Sequence, residues 1–238
     1  MRIAIMQPYF FPYLGYFKLI NAVDKFVVYD DVEYTKKGWI NRNRLLFGNE
    51  INTFSIPIRK SSDYDKIKEK FVSDDENGIR LVLKNLRLID INYNKSKYFN
   101  KIYPMVDSCF NYRSSNLFDY LHNALITIIE YLEINSKVII SSDLDIDKQL
   151  KKEDKVISIC KSLNCTTYIN AIGGLDIYNS IRFNDEGVSL KFLKSNNFAY
   201  NQDVNEFYDN LSIIDTLMHV SKLEIMNELN QYNLVRPS

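Results

Sequence analysis

The chain has 238 residues, of which 46% are hydrophobic, and this is enough for one α/β domain with a substantial core. Lys plus Arg and Asp plus Glu number 30 each, so no overall charge attracts nucleic acid or an anionic membrane, and we expect neither as a partner. Three cysteines without the spacing of zinc ligands argue against a disulfide framework and favour a reducing compartment. No apolar run approaches the roughly 18–20 residues of a membrane span. Met1 leads directly into a predicted strand, so we expect no signal peptide and a soluble, cytoplasmic protein.

A strand–helix–strand unit is predicted for residues 2–30. The apolar run 3–6 has the length of a buried strand, and a loop with two prolines follows it. Apolar residues then recur at helical spacing over 16–23, and a second apolar run covers 26–29. Parallel pairing of two strands requires such a crossover, so the pattern predicts a Rossmann-like parallel sheet.

Strand and helix patterns continue to alternate after this unit, which is typical of an α/β fold with flanking helices and a helical C-terminal part. Residues 1–238 are expected to form one domain, in which 79–135 is a candidate helical subdomain. Strands are predicted at 52–58, 137–141, 166–170 and 188–193, a surface connection at 59–78, and helices at 79–88, 96–110 (bent or interrupted at Pro104), 116–134, 147–163 and from Ser212 through Ile225.

Polar side chains follow several of the predicted strands. Gln7 and Pro8 come after the first strand, Asp30 and Asp31 after the second, and Ser141 after a later one. Ligands of open α/β sheets bind outside the carboxyl ends of the strands, so a binding site is predicted there.

Two N-terminal segments carry a resemblance to a known family. MQPYFFPYLGYFKLI and YDDVEYTKKGWINRNR closely resemble the WbqC-like family, whose proteins are encoded among bacterial surface-polysaccharide genes. Weaker similarity continues through SSDL, YINAIGG and LSIID, so the resemblance covers nearly the whole chain. It implies a role in the biosynthesis of surface glycans such as O-antigen, and it supplies no set of catalytic residues.

The loop around Gly15 occupies the place where nucleotidylyltransferases and class I aminoacyl-tRNA synthetases carry His-x-Gly-His. In those enzymes the glycine lets a base approach, and the histidines stabilise phosphate charge in the transition state. Here Tyr13 and Tyr16 replace the histidines, and a phenol donates a hydrogen bond but carries no positive charge. The loop therefore favours a nucleotide-shaped pocket more than nucleotidyl transfer. The alternative is that Gly15 allows close packing and the tyrosines fill the core.

The doublet of Asp30 and Asp31 is the candidate for acid–base chemistry. Adjacent residues of a strand point to opposite faces, so both carboxylates face one site only if the chain turns there. One of them is predicted to act as a base or to bind substrate, and the other to cap a helix or pair with an arginine.

The segment KKGWINRNR combines cations with the single tryptophan of the chain. Lys37, Arg42 and Arg44 with Trp39 fit a diphosphate next to a sugar or a base, and Asn41 adds an amide. The alternative is an exposed basic loop that Trp39 anchors.

The remaining candidates are weaker. Gly173 and Gly174 follow a strand, where their N–H groups can cradle a phosphate, and a tight turn explains them equally well; Ser141 can simply cap a helix. His122 and His219 are expected to pack within helices. No metal-ligand cluster, Walker loop or serine nucleophile elbow is visible, and no cofactor is assigned.

Together these features favour a transferase that adds an N-acyl or aminoacyl group to a nucleotide-activated amino sugar, with the nucleotide sugar and an acyl donor as small-molecule partners. Asp30 or Asp31 would be the base, and Tyr13, Tyr16, Asn41 or backbone N–H groups would stabilise the oxyanion. The alternatives are a nucleotidyltransferase or ATP-dependent ligase and a non-catalytic protein that binds sugar nucleotides. The sequence leaves the sugar, the donor and the oligomeric state open.

Overall fold

A computed structural model describes residues 1–236 and has a six-stranded sheet at its centre. The strands lie in the order β5-β2-β1-β6-β7-β8, and all pair in parallel except β8, which is antiparallel to β7. Their bounds are β1 Arg2–Met6, β2 Lys25–Val28, β5 Lys137–Ile140, β6 Thr167–Ala171, β7 Ser189–Ser195 and β8 Tyr232–Val235. A separate antiparallel hairpin consists of β3 Arg42–Phe47 and β4 Glu50–Ser55. The helices are α1 Leu14–Asn21, α2 Glu76–Tyr93, α3 Phe99–Phe110, α4 Leu117–Tyr131, α5 Lys152–Ser162, α6 Ser180–Asp185, α7 Ile213–His219 and α8 Lys222–Glu228.

The α/β fold and the opening unit are confirmed. Strands β1 and β2 pair in parallel from Ile3↔Lys25 to Met6↔Val28, and α1 connects them. Both faces of the sheet are covered, as parallel sheets require. Ala4 and Phe26 belong to the core on one face, with α1 and α4, whereas Ile3 and Val27 belong to the core on the other, with α5 and α6.

The helices over 79–135 pack into the same core as the sheet. Leu86 of α2, Ile102 of α3 and Leu121 of α4 are buried in one cluster with Phe17 and Val28. Within residues 1–236, no helix is both long enough and apolar enough to cross a membrane.

Several element boundaries differ from the sequence predictions. Pro104 lies inside α3, which continues through it to Phe110, and the predicted final helix is two helices. Ser221 begins the second of them, because its hydroxyl accepts the N–H of Glu224 and the Glu224 carboxylate accepts the N–H of Ser221. Strand β3 was not predicted, since its Arg-Asn-Arg start lacks an apolar run, and neither was the edge strand β8.

The loop between β1 and α1 is fixed by the hairpin and by α7. Phe11 has φ 45°, a left-handed conformation that is unusual for a bulky residue. The Asn43 amide donates to the carbonyls of Phe10 and Phe11, and the Ser212 hydroxyl donates to the carbonyl of Phe11 at 2.8 Å. Since both phenylalanines are at most 1% exposed, the hairpin and the loop form one packed unit above the sheet.

Candidate binding site at the carboxyl edge of the sheet

Strands β1 and β6 separate towards their carboxyl ends. Their ladder contains only Arg2↔Thr167 and Ile3↔Tyr168, whereas β1 pairs with β2 as far as Met6. The direction of the chain along the sheet also reverses here, since β1 leads to β2 on one side and β6 leads to β7 on the other. Accordingly, α1 covers one face of the sheet, and α6, which follows β6, covers the other. Open α/β sheets bind ligands at such a switch point. We refer to the space outside these two strand ends as the switch-point crevice.

On the β1 side of the crevice, the loop residues contact one another. The Tyr16 hydroxyl donates to the backbone carbonyl of Gln7 at 2.8 Å, and burial raises the pKa of this phenol well above its ordinary value. The ring of Tyr13 covers Gly15, whose added Cβ would lie 2.5 Å from the ring. Pro8 is buried beside them. Tyr16 therefore holds the loop in this structure, whereas the half-buried Tyr13 makes no side-chain hydrogen bond within residues 1–236.

Asp30 and Asp31 are both buried, and they have different partners. Asp31 forms an ion pair with Lys155 of α5 at 2.7 Å and accepts the Ser141 hydroxyl at 2.8 Å. Burial alone would raise the pKa of Asp31, but the hydrogen bonds from Lys155 and Ser141 and the Lys155 charge outweigh it and hold this pKa below its ordinary range. The predicted arginine partner is thus a lysine.

Asp30 has no cationic partner within residues 1–236. One of its oxygens accepts the backbone N–H of Ser142 at 2.9 Å. The other makes no hydrogen bond within residues 1–236, although Asp30 as a whole is only 1% exposed. Of the two carboxylates, Asp30 is therefore the one with an uncommitted oxygen.

His122 of α4 lies within the electrostatic reach of Asp30. Burial lowers the pKa of His122, and the negative charges of Asp119 and Asp30 oppose that shift. Its ring packs on Phe118 with a centroid distance of 5.5 Å. This contact agrees with the packing position that the helical spacing predicts.

A cationic surface lies at the start of the hairpin, and we call Trp39, Arg42 and Arg44 the Trp–Arg cluster. The two guanidinium carbons lie 5.5 and 5.2 Å from the centroid of the Trp39 ring, which is 40% exposed. The arginines are two residues apart on β3 and therefore share a face. Arg42 donates to the carbonyls of Gly38 and Lys37.

Neither guanidinium of the Trp–Arg cluster has a carboxylate partner within residues 1–236, and exposed Lys37 has none either. Asn41 is committed internally, since its amide donates to the Ile56 carbonyl and its oxygen accepts the Tyr34 hydroxyl. The cluster is joined to the crevice loop by the hydrogen bond from the Phe10 N–H to the Ile40 carbonyl.

On the β6 side of the crevice, the two glycines differ. Gly173 is exposed, with open space where a Cβ would lie, whereas a Cβ on Gly174 would lie 2.2 Å from the side-chain nitrogen of Asn170. Asn170 is 6% exposed, and its amide makes no hydrogen bond within the described chain. It was not singled out in the sequence, although it belongs to the YINAIGG segment. The sequence does not predict a role for Lys155 either, because nothing in a helical KEDKV pattern distinguishes it from a surface lysine.

The structure thus places the predicted residues in four sets: the loop at Gln7, the carboxylates with Ser141, the Trp–Arg cluster, and the glycine pair after β6. Two cavities, of about 350 and 290 Å³, lie elsewhere, beside α2 and α3 and at the turn of the hairpin. No group of three or more metal-binding side chains occurs within the described residues.

The sequence of residues 7–226 matches the family that is described as the WbqC-like protein family. An uncharacterized protein of Mycobacterium tuberculosis (strain ATCC 25618 / H37Rv), Rv1507c, is 25% identical over 222 residues, which are 92% of this chain and 94% of that protein. No solved structure matches.

Proposed function

We propose, since the chain belongs to the WbqC-like protein family, that it is a transferase of surface-glycan biosynthesis that adds an N-acyl or aminoacyl group to a nucleotide-linked amino sugar. The resemblance noted in the sequence suggests the glycan context. The reaction rests on the chemistry available at the carboxyl edge of the sheet.

The observation that carries the proposal is the Trp–Arg cluster. Two guanidinium groups without a carboxylate partner next to a partly exposed indole form a site for an anion that carries a flat ring or a sugar. A nucleoside diphosphate linked to a sugar has all of these parts. The nucleotide would bind on the cluster, and the sugar would extend towards the switch-point crevice.

Asp30 supplies the base in this proposal. The sugar amine attacks the carbonyl carbon of the acyl donor, the C–N bond forms, and the amine proton passes to the free oxygen of Asp30. The leaving group departs with a proton, which regenerates the carboxylate. Asp31 orients the same turn through Lys155 and Ser141.

The oxyanion of the tetrahedral intermediate needs hydrogen-bond donors. Tyr13 and the newly identified Asn170 have uncommitted donors at the crevice, whereas Tyr16 and Asn41 are already engaged. Gly173 leaves space beside Asn170 for the donor substrate.

The first test is binding. Calorimetry with nucleoside diphosphates and nucleotide-linked amino sugars should detect a complex, and Arg42→Ala or Arg44→Ala should weaken it about 10- to 150-fold, the equivalent of about 1.5–3 kcal/mol for a charge-assisted contact. Arg80→Ala is the matched control, because Arg80 lies on α2 and pairs with Glu76 at the surface. Equal affinities in all three variants would contradict the proposal.

The second test is turnover. With a nucleotide-linked amino sugar and an acyl thioester, mass spectrometry should detect the acylated sugar nucleotide, and Asp30→Asn should reduce its rate of formation about 10²- to 10⁴-fold with little change in affinity. Binding without any product would instead favour the non-catalytic sugar-nucleotide-binding protein.

A further inference from the structure

A cavity of about 290 Å³ at the turn of the hairpin holds a second set of polar side chains. It is lined by Gly48 at the turn, by Tyr93 at the end of α2, by Ser96 between α2 and α3, and by Asp215 and His219 of α7. The transfer reaction proposed above uses none of these residues.

Asp215 is the centre of this set. It is fully buried, and its carboxylate accepts the hydroxyls of Tyr93 at 2.7 Å and Tyr200 at 2.6 Å and the amide of Gln202 at 3.0 Å. Three donors on one buried carboxylate fix its position.

The carbonyl of Asp215 fixes the orientation of His219. The Nδ1 atom of His219 lies 2.9 Å from the Asp215 backbone oxygen, and since a carbonyl only accepts, Nδ1 carries the proton. In the tautomer that carries only this proton, Nε2 has the lone pair and faces the cavity. The Ser96 Oγ lies 3.4 Å from Nε2, so the Ser96 hydroxyl donates to it.

Two carboxylates flank the same imidazole. Asp203 Oδ2 lies 3.7 Å from Nε2, and Asp215 Oδ1 lies 3.9 Å from Nδ1. Both would stabilise an imidazolium that forms when Nε2 takes a proton from Ser96. A serine, an acceptor nitrogen and a group that orients the ring are the elements of an activated nucleophile.

We propose that Ser96 and His219 form a nucleophile–base pair that cleaves small carboxylic esters. Ser96 Oγ attacks the ester carbonyl carbon, and its proton passes to His219 Nε2. The C–O bond to the leaving alcohol breaks, and the alcohol takes that proton. Water then attacks the acyl-serine, and Nε2 accepts its proton. The bond from the acyl carbon to Ser96 Oγ breaks, Nε2 returns the proton to Oγ, and the carboxylic acid is released. Asp203 and Asp215 are positioning residues in this scheme.

A fluorophosphonate probe tests this pair on the full chain. Peptide mass spectrometry should locate a single adduct on Ser96, and p-nitrophenyl acetate should be hydrolysed. Ser96→Ala should lose both signals, and it changes little else, because the structural hydrogen bonds of Ser96 other than the one to His219 come from its backbone. Ser189→Ala, at an exposed serine on β7, is the matched control and should behave as the wild type.

The variant His219→Asn tests the role of His219 as a base while it preserves the fold. The asparagine amide still donates to the Asp215 carbonyl but has no acceptor at the Nε2 position, so labelling of Ser96 should slow about 10²- to 10⁴-fold while the melting temperature is retained. Labelling of Ser96 at the wild-type rate in this variant, or an unlabelled Ser96 in the folded wild type, would overturn the proposal.

Discussion

Replacing Lys155 by methionine should destabilise the fold by about 3–5 kcal/mol, because it leaves a buried carboxylate without its cation. The Lys155 Nζ lies 2.7 Å from the Asp31 carboxylate and 3.2 Å from the Asp31 carbonyl, and the two side chains are 4% and 2% exposed. Methionine fills a similar volume, so the effect is mainly electrostatic. After the change, the Ser141 hydroxyl is the side-chain donor that the Asp31 carboxylate keeps.

Urea and thermal unfolding measure this effect. For a chain of this size, each kcal/mol of lost stability lowers the melting temperature by about 2–4 °C, so the melting temperature of Lys155→Met should fall by roughly 6–20 °C. Lys161→Met is the control, since Lys161 lies on the same helix in an exposed pair with Glu186, and such pairs contribute about 0–1 kcal/mol. Combining Lys155→Met with Asp31→Asn should recover part of the loss, because the unpaired charge is gone.

The stabilisation by the Asp31–Lys155 pair should depend on pH. The pKa of Asp31 is lower in the folded chain than in the unfolded one, so its stabilisation is present above the unfolded pKa of about 4 and is lost as the pH falls through the folded pKa. The gap in stability between wild type and Lys155→Met should therefore narrow in acid. A loss under about 1 kcal/mol at pH 7, or a gap that widens in acid, would refute the buried-pair account.

Two other substitutions test the packing around the site. Gly174→Ala should destabilise the fold by about 1–3 kcal/mol, measured by thermal unfolding, because its Cβ would displace the buried Asn170 amide. Gly173→Ala is the control and should change the stability little, so equal effects of the two substitutions would contradict this prediction. Asn116→Ala should lower the free energy of unfolding by about 1–2 kcal/mol, because Asn116 accepts two backbone N–H groups at the start of α4 and also donates to the Lys68 carbonyl. An unchanged midpoint of urea unfolding would show that the cap contributes nothing.

The opening unit was predictable because its signals are local. Apolar runs of strand length, a loop with two prolines and a helical repeat all lie within residues 2–29, and β1 and β2 then pair as expected. The helix predicted from residue 116 was equally local. The break before α8 could have been read from the sequence as well, because Ser221 and Glu224 have the spacing of a capping box.

The site depends on contacts that no local pattern contains. Lys155 meets Asp31 and Tyr93 meets Asp215 across more than a hundred residues, so the sequence shows the residue types but not the pairs. The alternation that identifies a half-buried strand also fails at β3, because Arg42 and Arg44 alternate with Asn43, a buried polar residue that holds the loop after β1.

The position of β5 in the sheet has a consequence for how the protein folds. The residues of β2 and β5 are direct neighbours, yet Ser142 is 112 residues beyond its partner Asp30. Closing so long a loop is entropically costly, so we expect β1, α1 and β2 to associate early and β5 to join after the transition state. Substitutions at the Asp30–Ser142 contact should then accelerate unfolding and leave the refolding rate nearly unchanged in stopped-flow experiments. The pairing of β2 with β5 would then form late and open early.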